Sequence, residues 1–429
     1  MKTYFLNNLS RKDAEDLTKR PAIDLEKIFG IVKPILNEVK KNGLPAALKY
    51  ARQLDGFDGE NILVSDKELD EAERKLDSKI KEAIKTAFDN IKKFHSKQLP
   101  ERYEIETMSG VKCSREYRPI DNVGLYVPGG NAVLPSTMLM LGIPAGIAGC
   151  KRIVVCSPSK NNIINYPLLY AARLCGINEF YKLGGAQAIG LMAYGDESIP
   201  KVNKIFGPGN QFVTAAKLLI SIDPDSSGCA IDMPAGPSEL LVIADENADP
   251  SFAAADLLSQ AEHGADSQVI LVTTSTEAAN RINSEVTRQL ENLPRKDFAS
   301  KALKNSFILI SDSVEQAVDF SNKYAPEHLI LNIEDPEKYI GKITNAGSVF
   351  LGQFSPESAG DYASGTNHSL PTYGYAKAYG GVSVEMFMKS ITFQNLTKEG
   401  LKNISAAVQN LAETEGLDAH KNAVSIRLK

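Results

Sequence analysis

Two short apolar runs, Val123-Gly124-Leu125-Tyr126-Val127 and Arg152-Ile153-Val154-Val155-Cys156, decide the fold. Both have strand length and carry β-branched residues, and Pro128-Gly129-Gly130 closes the first. Between them an apolar stretch at 137–150 is broken by Gly and Pro and is too short to cross a bilayer. Working outward, the same kind of run recurs at 180–183, 204–206 and 240–244. A second series follows at 268–273, 307–310, 329–333 and 348–351. Helix-period segments at 167–175, 211–220, 252–262 and 313–324 lie between the runs. Strands alternating with helices of this length build βαβ units and parallel sheets. The sequence therefore predicts an α/β protein of two doubly wound, Rossmann-like domains with mostly parallel sheets. In such sheets ligands bind beyond the carboxyl ends of the strands.

The flanks differ. Apolar residues at helical spacing (Ile28, Ile31, Val32, Ile35, Leu36, Val39) and an amphipathic stretch at 79–95 make the first hundred residues helical. Another amphipathic helix at 401–411 marks a small helical tail. The expected division is an N-terminal helical arm at 1–25, a main α/β domain from 26–125 plus 239–382, a second α/β domain at 126–238, and a C-terminal helical tail at 383–429.

Composition narrows the function classes. With 429 residues, 43% hydrophobic and 24% charged, the chain is neither disordered nor repetitive and can bury several cores. Its net charge is −5 with the Lys and Arg scattered, so no footprint for nucleic acid or a membrane surface is expected. The N-terminus lacks an apolar stretch of signal-peptide length. Five cysteines with no C-x-x-C pair read as reduced thiols in a cytoplasmic protein without a zinc ribbon. Four of them sit among apolar or strand-like neighbours; Cys229 precedes a Pro/Gly-rich loop.

Histidine is the most informative side chain, because there are only five. His95, among Lys92, Lys93 and Lys97, reads as part of a solvated charged face. Gln260-Ala261-Glu262-His263-Gly264 closes a helix. Its i, i+3 spacing lets Gln260 and His263 address one metal ion, although a His and a Gly at a helix C-terminus also suit the dipole and the cap. Pro326-Glu327-His328 sets a carboxylate and an imidazole directly before a strand, as an acid–base pair or a polar lead-in. The Gly/Ser-rich segment from Ser358 to His368 offers Asp361 and His368, and the tail offers Glu415 and His420. Together these residues can bind zinc and still leave acid–base groups over.

Three Gly-rich loops each follow a strand: Tyr126-Val127-Pro128-Gly129-Gly130, Gly184-Gly185-Ala186-Gln187-Ala188 and Gly207-Pro208-Gly209-Asn210. Such loops bring backbone N–H groups to phosphates. Neither G-x-G-x-x-G nor a Walker A sequence is present, so nucleotide binding would not follow the usual Rossmann pattern.

With Asp232-Met233-Pro234-Ala235-Gly236-Pro237-Ser238-Glu239, Gly360-Asp361-Tyr362 and Glu415-Gly416-Leu417-Asp418-Ala419-His420, these motifs resemble the histidinol dehydrogenase family in order, from about residue 20 to the C-terminus. The resemblance implies a zinc-dependent, NAD-linked, four-electron oxidation of L-histidinol through L-histidinal to L-histidine. It implies zinc ligands Gln260, His263, Asp361 and His420, with the substrate also held through zinc. Ser238, His368 and Glu415 would complete substrate recognition, His328 and Glu327 would be the acid–base pair, and Tyr126, Gln187 and Asn210 would contact NAD. The main domain would carry the metal and catalytic residues and the second domain NAD. A homodimer would share its active sites, each borrowing the partner's tail. A zinc hydrolase of a small polar substrate, with Glu327 or Glu262 activating water, and a two-lobed binding module are the rival readings. The three Gly-rich loops disfavour the hydrolase, which has no need of them, and the paired acid–base residues disfavour the binding module.

Overall fold

The computed structural model describes residues 1–20, 25–59, 61–129, 134–197, 199–226, 228–234 and 236–429. Gly130 and Ala235, quoted above within two motifs, lie outside the described residues. In chain order the strands are β1 (Lys2–Phe5), β2 (Tyr103–Met108), β3 (Val111–Pro119), β4 (Asn122–Tyr126), β5 (Arg152–Cys156), β6 (Glu179–Tyr181), β7 (Lys204–Phe206), β8 (Ala230–Ile231), β9 (Glu239–Ala244), β10 (Gln268–Thr273), β11 (Phe307–Ile310), β12 (His328–Asn332), β13 (Ser348–Leu351) and β14 (Met388–Leu396).

They form three sheets. The five-stranded sheet has the order β6-β5-β4-β7-β8 and is parallel throughout. The six-stranded sheet has the order β1-β11-β10-β9-β12-β13 and is also parallel. Every residue of β9, β10 and β12 is buried, as expected of strands covered on both faces by helices. Apart from the edge strand β1, in each of these two sheets the chain starts near the middle, winds outward one way and returns to wind the other way. The reversal falls between β4 and β7 in one sheet and between β9 and β12 in the other. A third, antiparallel sheet has the order β14-β3-β2.

Three placements differ from the sequence reading. The N-terminal arm is not purely helical: its first residues form β1, because Lys2–Phe5 finds an open parallel edge on β11. The helices Leu25–Tyr50, Asp66–Lys75 and Ser78–His95 pack on the helices of the five-stranded sheet, not on the six-stranded unit with which residues 26–125 were grouped. Ile28, Val32, Leu36 and Val39 share a core with Val154 and Ile189. Finally, the tail opens with β14, which pairs with β3 along its whole length before two helices, Lys398–Thr414 and Asp418–Ser425, complete it. Among the described residues no helix is long and apolar enough to cross a membrane.

Candidate active site

Each sheet carries a cluster of polar groups at one edge. In the six-stranded sheet that edge is the amino end, the opposite of the rule applied above. His328 is the first residue of β12 and Glu239 the first of β9. The helix Pro250–Ala261 follows β9 and runs back antiparallel to it, which delivers Gln260 and His263 to the same edge. The short helix Glu357–Tyr362, after β13, adds Glu357 and Asp361 on one face at i, i+4 spacing. Gly360 lets this helix approach Phe350, since a Cβ there would lie 2.6 Å from the ring.

His328 is the hub. Its Nδ1 lies 3.2 Å from the Glu239 carbonyl, 3.7 Å from Glu327 Oε2 and 3.8 Å from Glu357 Oε1. Its Nε2 lies 3.5 Å from Asp361 Oδ1. With Nδ1 donating to that carbonyl, Nε2 faces Asp361, to which it donates when the ring is protonated and toward which it turns a lone pair when the ring is neutral. The Glu239 N–H donates to Glu327 Oε2 at 2.8 Å, and Gln260 Nε2 approaches the same oxygen at 3.4 Å.

Burial and charge set the proton affinities. Burial raises the Glu327 carboxyl to about 8, even though the charge of His328 and the Glu239 N–H pull the other way. Burial alone would lower His328, but Glu357, Glu327 and Asp361 overcome it and raise the ring to about 10. Burial also raises Asp361, yet the hydrogen bond and charge of His328, with His368 and His263 beyond, hold it below the ordinary carboxylate value. Glu357 is pushed up, mainly by burial. His263 stands at the exposed rim, but desolvation of its ring still holds its pKa down.

Ligand atoms of His263, Glu357 and Asp361 all lie within 4.8 Å of one another. Four buried polar atoms beside them have no partner: Gln260 Oε1, His328 Nε2 and both Glu357 oxygens. Unsatisfied lone pairs at this density fit a cation. Glu357 is the residue that sequence reasoning missed. Its signal was the i, i+4 spacing to Asp361 just after Pro356.

His368 joins the lobes. Its Nδ1 bonds to the Asp361 carbonyl at 2.8 Å, and its Nε2 to Thr137 Oγ1 at 3.1 Å, on the helix Pro135–Ala148 of the five-stranded lobe. His95 is not on a solvated face, as its lysine neighbours had suggested. It is fully buried, with Nδ1 on the Ile91 carbonyl and Nε2 3.3 Å from Asn367, so it anchors the loop that carries His368. Ser238, half-buried, immediately precedes Glu239. Glu415 and His420 are exposed on the tail, and among the described residues no hydrogen bond or ion pair joins either to the cluster.

In the five-stranded sheet the loops leave the carboxyl ends of β4, β6 and β7, flanking the reversal point. The Gly185 N–H donates to the Tyr126 hydroxyl at 3.0 Å. Gln187 Nε2 donates to Asp55 Oδ2 at 2.8 Å, while its buried Oε1 has no partner. Asn210 Oδ1 caps the helix Gln211–Ile222 by accepting from the Phe212 and Val213 N–H groups. Gly207, at φ +120°, runs so close to the Tyr126 carbonyl that a Cβ would sit 2.0 Å from its oxygen. Beneath this loop Lys217 and Asp232 form a buried ion pair, with Lys217 also donating to the Gly207 carbonyl and Asp232 accepting from the Gly207 N–H. Cys229 is buried away from solvent, which raises its thiol to about 12.

Comparison with known proteins points to one family. The family model described as histidinol dehydrogenase matches residues 18–428. Histidinol dehydrogenase of Vibrio parahaemolyticus is 51% identical over 430 residues, covering 100% of this chain and 99% of its own. The chloroplastic enzyme of Arabidopsis thaliana is 53% identical over 431 residues, covering 100% and 92%. The crystal structure of histidinol dehydrogenase from Elizabethkingia anophelis is 52% identical, with a TM-score of 0.94 over 100% of this chain and 98% of that one.

Proposed function

Because the chain belongs to the histidinol dehydrogenase family of NAD-dependent oxidoreductases, and so catalyses the final oxidation step of histidine biosynthesis, we propose that the amino-edge cluster is where L-histidinol is oxidised through L-histidinal to L-histidine. The observation that carries this reading is the convergence of Gln260, His263, Glu327, His328, Glu357 and Asp361, from three separate segments, on one buried imidazole.

The residues divide the work by their surroundings. His328, whose protonated form the surrounding carboxylates favour, takes the hydroxyl proton through Nε2 once that nitrogen has given up its own. Glu327, buried and held by the Glu239 N–H, activates water for addition to the aldehyde. Tyr126, Gln187 and Asn210 on the Gly-rich loops would hold NAD, which would supply the hydride acceptor for each step. Zinc, when bound, serves as a template that fixes the substrate. His263 and Asp361 would hold it with Gln260 through its unpartnered Oε1, and Glu357 lies close enough to join them. Ser238 and His368 line the substrate's approach.

The fourth proposed ligand, His420, and the substrate contact Glu415 lie on an exposed tail, which supports a homodimer in which each tail completes the partner's site. Exposed apolar side chains stand on both faces of the antiparallel sheet, Tyr103, Ile105 and Met108 on one and Ile391 and Phe393 on the other, and give such a dimer surface to cover. No nucleic acid or membrane takes part, and five free thiols favour a reducing, cytoplasmic location.

Two NADH formed per histidinol consumed is the expected stoichiometry; one NADH, with histidinal released, overturns the reading. His263→Ala should lose zinc and activity together, and tightly held stoichiometric zinc in that variant removes His263 from the ligand set. Co-expressed His328→Ala and His420→Ala chains, isolated as mixed dimers by two tags, should regain activity, since one site then receives both defects and the other neither. Activity no higher than either parent refutes shared sites.

A further inference from the structure

The acid–base pair is held by one backbone position, and that position is held by a residue from the N-terminal arm. Glu239 contributes its N–H to Glu327 and its carbonyl to His328. Its own side chain is buried and forms a two-pronged ion pair with Arg20: Nε to Oε1 at 2.9 Å and Nη2 to Oε2 at 2.7 Å. The same guanidinium reaches the other strand opening. Arg20 Nη1 donates to the Tyr324 carbonyl at 2.6 Å and Nη2 to the Ala325 carbonyl at 3.1 Å, while its plane stacks 3.5 Å from the Tyr324 ring. Ala325 is in the left-handed region, at φ +56°, two residues before Glu327. A non-glycine residue holds that conformation only where its surroundings impose it. Arg20 therefore grips the start of β9 through a side chain and the lead into β12 through two carbonyls. These are the two points from which Glu327 and His328 are hung.

We propose that Arg20 is a positioning residue for the Glu327–His328 pair, fixing the relative placement of the amino ends of β9 and β12. This rests on the acid–base reading given above. Arg20 touches neither reacting group directly, and its planar fork is what spans both strands; an ammonium cannot match five directed donors. A misplacement well under 1 Å at the pair slows proton transfer without altering how substrate or NAD is bound.

The test uses the full-length, zinc-loaded enzyme with NAD, with kcat normalised to bound zinc. Arg20→Lys should lower kcat about tenfold and Arg20→Ala about a hundredfold, with KM for L-histidinol and for NAD within about twofold of the parent. Because kcat is counted per bound zinc, a fall confined to kcat reports slower folded sites rather than fewer of them, and partial rescue by the lysine variant ties the loss to the reach of the Arg20 side chain. If Arg20→Ala does not fold, Arg20→Lys carries the test. If neither folds, the arm is a folding element and the proposal falls. Parent kcat in folded Arg20→Lys, or KM and kcat changing together, also overturns it. Glu327→Gln is assayed alongside. Should it keep parent activity, the acid–base reading fails and takes the proposal with it; should it be inactive while Arg20→Lys is normal, only the proposal fails.

Discussion

The five-stranded sheet presents its Gly-rich loops at the carboxyl ends of β4, β6 and β7, whereas the six-stranded sheet gathers its titratable cluster at the amino ends of β9 and β12. The two edges suit opposite charges. In a parallel α/β sheet the helices start at the carboxyl edge and finish at the amino edge. N–H groups and positive helix ends therefore face a ligand at the first, and carbonyls and negative ends at the second. The first edge welcomes a pyrophosphate. The second, where the helix Pro250–Ala261 ends beside Gln260 and His263, welcomes a cation, whether zinc or a protonated imidazole. A dehydrogenase needs both, and in the function proposed above each sheet supplies one.

That division can be broken by substitution. The largest effect is expected at the amino edge: His328→Ala should lower kcat by about a thousandfold or more while NAD affinity, followed by fluorescence titration, stays within about twofold. Loss of NAD binding in that variant would show the edges are not separate. Next, Glu327→Gln should slow oxidation of added histidinal about a hundredfold and the first hydride transfer from histidinol less. Equal single-turnover losses in both steps would merge the two roles. At the other edge, Gln187 is oriented by Asp55, whose carboxyl burial holds above its usual range, and it offers an unpartnered Oε1. Gln187→Ala should raise KM for NAD about tenfold, the equivalent of about 1.4 kcal/mol, and leave zinc content untouched; a change in bound zinc would contradict the division. The smallest effect is expected in the core of the five-stranded lobe. With its thiol protonated by burial, Cys229→Ala should keep activity within about twofold and cost about 1 kcal/mol of stability. A loss of several orders of magnitude in the aldehyde step would point instead to a covalent thiohemiacetal.

Both parallel sheets were legible, except for the exposed edge strands β1 and β8, because their inner strands are apolar on both faces; β5, β10, β11 and β13 begin and end where the sequence places them. The antiparallel sheet was not, because it has no core of its own to pattern against. All six residues of β2 are exposed, and its alternation of Glu104 and Glu106 with Ile105 was lost among helical neighbours. In the site, Glu327 and His328 could be read because they stand directly before a strand. That same position should have signalled the amino edge. Glu357 was hidden by its neighbours, Pro356 and the Gly/Ser-rich run, which read as loop although they start a helix. His95 misled because three lysines surround it in sequence, while the helix Ser78–His95 turns the ring inward to Asn367. Arg20 has no signature at all: its partners, Glu239 and the carbonyls of Tyr324 and Ala325, are remote in the chain.

The pairing of β1 with β11, Lys2 opposite Phe307, bears on how the chain is made. Synthesis runs from the N-terminus, so every strand of the five-stranded sheet has emerged before β9 begins. That lobe has all its strands at hand early. Lys2–Phe5 must meanwhile wait for its partner strand until residue 307 and its neighbours arrive, and long-range parallel pairing is slow to form. Arg20 waits on the same schedule, since Tyr324 and Ala325 come later still. The strands of the five-stranded sheet can therefore pair while the amino edge of the six-stranded sheet is unfinished; Lys2–Phe5 is captured only once β11 exists, and β14 closes on β3 later still, bringing Phe387 onto Phe206.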